Sequence, residues 1–199
     1  MITRRHFLML GTAALVGGCA TDTPIAGPIP ELGFQHLPPM FLNVGSIQVK
    51  NEYLAPMKAP NAEHRFPTPP AQAMAGWARS RIQAVGGKNN GAVATFVIEE
   101  ASVKEVVLKK TEGFKGLFTY EPTERYDAHC IGRLEIVDAN GAKGNVRVEA
   151  MRSAEVSENA TLAEREKAWF EMIEKLMGDF NTQMDEQIVQ HLSAWAPLR

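Results

Sequence analysis

The chain has 199 residues, 45% of them hydrophobic and 22% charged, with 21 Lys+Arg against 23 Asp+Glu and a formal net charge of −2. That length carries one domain with some chain to spare. The even balance of charge gives no basis for binding nucleic acid or for a polybasic grip on anionic lipid, both of which need clustered Lys and Arg.

The first element in chain order is a charged pair followed by a short apolar run. Met1-Ile2-Thr3-Arg4-Arg5-His6-Phe7-Leu8-Met9 opens with a charged pair, and an apolar run from Phe7 to Val16 follows, broken only by Gly11 and Thr12. A run of about 10 residues falls well short of the roughly 20 that a helix needs to cross the hydrocarbon core, so it reads as a signal h-region. The order Thr3-Arg4-Arg5-His6-Phe7-Leu8 resembles a twin-arginine export signal, with Met9 where that pattern often has Lys. Val16-Gly17-Gly18-Cys19 resembles a bacterial lipobox, although Val stands where Leu is commoner. Its small residues admit the peptidase to the backbone, and its thiol takes a diacylglycerol. The resemblance implies removal of residues 1–18, a lipid on Cys19 and a second acyl chain on the new amino terminus; two chains anchor stably where one binds marginally. Ala20, in place of the Asp that retains some lipoproteins in the inner membrane, leans toward the outer membrane. With Cys19 acylated, Cys130 is the remaining thiol, so an internal disulfide cannot form.

Residues 19–40 read as a tether, rich in Pro, Ala, Gly and Thr, with an extended limit of about 70 Å. Phe34 and Leu37 are candidates to dock on the domain, at a place the sequence does not give. Residues 41–196 form one domain. Phe41 to Tyr53 is the first expected strand, with a bulge at Gly45-Ser46 bringing Leu42, Val44, Ile47 and Val49 to one face. Pro56 to Pro70 is a polar connection. Pro69-Pro70 then opens a helix from about Ala71 to Val85, its stripe made by Met74, Trp77, Ala78, Arg81, Ile82 and Val85. Ala92 to Leu108 is β-branched enough to be a strand, with a bend near Glu99-Glu100. Residues 109–124 read as an exposed hairpin tip.

Tyr126 to Val137 alternates most clearly: Tyr126, Ala128, Cys130, Leu134 and Ile136 against Asp127, His129, Arg133 and Glu135. This pattern buries Cys130. Asp138-Ala139-Asn140-Gly141 turns the chain into a returning strand, Asn145 to Val156. Thr161-Leu162-Ala163-Glu164 is a capping box at the head of a helix reaching about Trp195, with Trp169, Phe170, Ile173, Leu176, Met177, Phe180, Met184 and Ile188 at helical spacing. The order β-α-β-β-β-α predicts an α+β two-layer sandwich: a mostly antiparallel sheet with two helices on one face. The other face is left solvated or open to a partner.

Few residues promise chemistry. His36, His64, His129 and His191 lack metal-ligand spacing, and Asp127 with His129 on one strand face lacks two further ligands. Adjacent Glu99 and Glu100 point to opposite faces unless a bulge intervenes. Neither a phosphate loop nor a Gly-x-Ser-x-Gly elbow is present. The sequence thus predicts no catalytic residue, no cofactor and no metal.

The lipobox, the tether and the element order together resemble the small envelope lipoproteins, among them the auxiliary lipoproteins of ABC-type envelope transport systems and the lipopolysaccharide-assembly lipoprotein. That resemblance implies a non-enzymatic, lipid-anchored protein with an envelope protein partner; it carries over no binding residue. Three readings stay open: an accessory lipoprotein docked on an envelope complex, a lipid-binding or lipid-chaperoning module with a cavity between sheet and helices, and a hydrolase with a scattered site.

Overall fold

The structure is a computed structural model describing residues 32–87, 90–108, 122–157 and 159–196. In chain order it contains β1 (Met40–Leu42), β2 (Ser46–Asn51), a 3-10 turn (Glu63–Arg65), α1 (Pro70–Arg81), β3 (Ile82–Ala84), β4 (Val93–Val107), β5 (Pro122–Val137), β6 (Lys143–Ser157) and α2 (Leu162–His191). The long strands β4, β5 and β6 form an antiparallel meander. Strand β2 adds to β4 in parallel, giving the order β2-β4-β5-β6. This is an α+β fold with a mostly antiparallel sheet and two helices, as the alternation predicts.

Several boundaries differ from the sequence reading, two of them with a clear physical cause. The single first strand divides: Met40–Leu42 pairs with β3 in a separate two-stranded parallel sheet, while Ser46–Asn51 joins the large one. Gly45 marks the break, and it works by close approach rather than as a bulge. A Cβ there would lie 2.0 Å from the Asn90 carbonyl oxygen. The first helix stops at Arg81, because Ile82 turns extended (φ −95°, ψ 123°) and begins β3. Ile82 fits either period; a buried β-branched side chain pairing with Met40 settles it as strand, and Val85 is left exposed.

The remaining elements follow their local signals. The β4–β5 register passes from Ile98–Gly132 to Glu100–Ile131, which is the irregularity expected near Glu99-Glu100. Gly141 takes the positive φ (82°) that the β5–β6 turn requires. At the head of α2, Glu164 N–H donates to Thr161 Oγ1 at 3.3 Å, and Thr161 N–H donates to the Glu164 carboxylate at 2.8 Å. The helix ends at His191, short of Trp195.

Among the described residues, aromatic rings pack the layer between sheet and helices. The Trp77 ring meets Phe96 and Phe180 at centroid distances of 5.3 and 5.2 Å. Gly132 makes room for these rings, since a Cβ there would lie 2.6 Å from Phe180 Cζ. A second group stacks Phe66 on Trp169 at 4.6 Å, with Tyr126 edge-on to Trp169 at 5.3 Å. The chain from Leu32 onward joins this core: Phe34 and Met40 are buried, and Leu32 and Leu37 pack against it.

Candidate functional site: the open sheet face and a groove along α2

Alternation in β4, β5 and β6 sends one set of side chains under the helices and the other to the uncovered face. On that face the charges pair across strands. Glu99, at the β4 irregularity, accepts from Arg133 Nε at 2.5 Å and from Arg147 Nε at 2.7 Å. Glu135 pairs with Arg133 as well. Asp127 receives both Arg125 Nε and a second guanidinium nitrogen, at 2.9 and 3.0 Å, and the Ser153 hydroxyl at 2.7 Å. His129 Nε2 lies 2.8 Å from Glu149.

The hydrogen bond from Arg133, aided by Arg147, holds the Glu99 carboxyl below the usual carboxylate range. For Asp127 desolvation pushes upward, and the bonds from Ser153 and Arg125 outweigh it, so its net shift is also downward. Both groups are therefore held ionised near neutral pH. Met151 stands among these charges with 63% of its surface exposed.

The residues singled out from sequence are dispersed by this arrangement. Asp127 and His129 share the face but serve different partners. Glu99 sits between two arginines, which does not suit it to shuttle protons in concert with Glu100. Cys130 is buried, as its alternation predicts; burial first, and Glu100 second, push its thiol up to about 12. Such a thiol is not a nucleophile near neutral pH. His64 lies exposed on the 3-10 turn, and His191 closes α2. Among the described residues no group of three or more His, Cys, Asp or Glu could hold a metal ion. Arg4, Arg5, Cys19 and most of the expected hairpin tip lie outside the described residues.

One charged residue escaped the sequence reading altogether. Glu63 is 2% exposed and lies in what reads as a polar connection. Its carboxylate accepts from the Tyr53 hydroxyl at 2.7 Å, from Asn61 Nδ2 at 3.4 Å and from the Val103 N–H at 3.2 Å. Burial raises its pKa, but these bonds together outweigh that and hold it lowered. The group fastens the connection to β4. Loops carry no periodicity, so nothing in the sequence marks it.

A groove of about 510 Å³ runs along one flank of α2. The segment Leu32–Leu37 forms one wall. Phe170, Met177, Gly178 and Thr182 form the other, with Glu174 and Asn181 beside them. Asn181 is fixed from below, because its Oδ1 accepts from Trp77 Nε1 at 2.9 Å and from Arg81 Nε at 2.8 Å. The Trp77–Phe96–Phe180 rings lie between sheet and helices, and the groove lies beside α2, against the Leu32–Leu37 segment.

No family model and no curated protein matches the chain. Solved structures similar to it include rare lipoprotein B from Shewanella oneidensis, at 13% identity and a TM-score of 0.35 over 73% of this chain and 97% of that one. A minor lipoprotein from Acinetobacter baumannii gives 13% and 0.36 over 78% and 96%. A DUF330 protein from Xanthomonas campestris gives 14% and 0.31 over 75% and 91%. At these identities and TM-scores the likeness carries no argument about function. Among the described residues no helix is long and apolar enough to cross a membrane.

Proposed function

We propose that this protein is a non-catalytic, lipid-anchored lipoprotein of the bacterial envelope, an accessory subunit that docks on an envelope transport or assembly complex through the open face of its sheet. In this reading Arg4 and Arg5 direct export, Cys19 carries the lipid, and the domain faces the periplasm, from the outer membrane rather than the inner. The observation that carries the reading is the open face itself. Three strands of about 15 residues present a neutralised lattice of fixed ion pairs. Such a surface is preorganised, so a partner need not order it, and its charges give register and orientation more than raw affinity.

The anchor is tested directly by Cys19→Ser. Palmitate labelling and membrane association should both be lost, because in this reading the thioether-linked lipid is the anchor. Labelling that persists in the variant would refute the lipoprotein assignment.

A further inference from the structure

The groove along α2 has Leu32, the first described residue, in one of its walls. Its other wall contains Gly178, inside a 30-residue helix. A glycine there weakens the helix relative to alanine. Nothing lies within 4 Å of the place its Cβ would occupy. A glycine notch left open in this way admits close approach of another backbone.

We propose that residues 24–31 of this same chain, Pro24-Ile25-Ala26-Gly27-Pro28-Ile29-Pro30-Glu31, lie along the groove and pass over Gly178. Ile25 and Ile29 are the only large apolar residues between Cys19 and Leu32, and the half-buried Phe170, Leu32 and Leu37 offer them apolar contact. The lengths agree. From Phe170 to Thr182 the helix rises about 18 Å. Residues 25 to 31 span about 19 Å in the polyproline II conformation that Pro28 and Pro30 favour. Because the segment is joined to the groove's edge, its effective concentration there is of millimolar order, so a weak intrinsic affinity is enough to keep it seated. A free lipid or a partner peptide would have to displace it.

Where the chain is lipidated, the free tether shrinks to residues 19–23. The domain then stands within roughly 17 Å of its anchor rather than the about 45 Å that residues 19–31 reach when extended. This consequence rests on the lipid-anchored reading; the contact itself does not.

The test uses the full-length chain expressed in its own membrane, with the photo-crosslinking residue p-benzoyl-phenylalanine in place of Glu174 at the groove rim. After irradiation, cross-linked peptides from the monomer band are identified by mass spectrometry. The expected product joins position 174 to residues 24–31 within one chain. Its yield should fall at least five-fold in Ile25→Asp/Ile29→Asp, and also in Gly178→Leu, which fills the notch. The double Asp variant lies outside the folded core and decides the matter alone if Gly178→Leu does not fold. Cross-links that go instead to lipid, to another chain or to other parts of the domain overturn the proposal. So does an intrachain product that the two aspartates leave unchanged, or no product at all.

Discussion

The two faces of the sheet come from the same strands and the same alternation, yet different forces hold them. Under the helices, Phe96, Ile98, Val103, Cys130 and Leu134 are buried against Trp77, Phe180 and their neighbours. Each large side chain removed from water there contributes roughly 1.5–3 kcal/mol. On the open face the side chains of Glu99, Arg133 and Arg147 remain 24%, 25% and 49% exposed while paired. Exposed pairs of this kind contribute only about 0.2–1 kcal/mol each. The contrast separates two tasks: the covered face fixes the fold, and the open face can vary without unfolding it.

The largest effect belongs to the covered face. Trp77→Ala should cost about 3–5 kcal/mol, because it removes a fully buried ring that touches Phe96 and Phe180 and strips one of the two donors from Asn181. A denaturant melt of the variant checks this; a midpoint within error of the parent would remove Trp77 from the core.

Glu63 blurs the contrast, being a charge on the buried side, and it gives the next effect. Glu63→Gln should cost about 1–3 kcal/mol, because Gln cannot accept on both of its terminal atoms. The pH dependence sharpens the point. The carboxyl is held lowered in the folded state, so its stabilisation is complete above the unfolded carboxylate range and is lost as pH falls through the folded value. Melting curves between about pH 7 and pH 3 should therefore show a shallower acid limb for the Gln variant. An unchanged slope would mean that Glu63 titrates as an unfolded glutamate does.

The smallest expected effect lies on the open face. Arg133→Ala/Arg147→Ala should shift stability by about 1 kcal/mol or less, even though it frees Glu99 of both partners. A loss comparable to Trp77→Ala in the same denaturant melt would show that the lattice is structural and not a presented surface.

Much of the fold was legible wherever one period ran long enough. The alternation from Tyr126 to Ile136 predicted which side chains are buried, and the Thr161–Glu164 box placed the start of α2. Short elements were not legible. Residues 82–84 belong to β3 because Met40–Leu42 lies beside them, and that pairing is tertiary information. The same holds for the groove, whose walls lie more than a hundred residues apart in the chain. On the open face, sequence showed which residues share a side. It could not show that Glu99 would stand between Arg133 and Arg147, since that depends on the β4 irregularity and on the register of two hairpins.

The central claim is that the protein works by contact through the open sheet face. It is tested most directly by placing a photo-crosslinking residue at Met151, on that face, and in parallel at Gln183, exposed on α2, in the full-length protein in living cells. The account predicts a discrete cross-link to one envelope protein from position 151, abolished by Arg133→Glu/Arg147→Glu in a variant that still melts near the parent, and none to that protein from position 183. A partner reached from position 183 and not from 151, or a cross-link from 151 indifferent to the charge reversals, would contradict it.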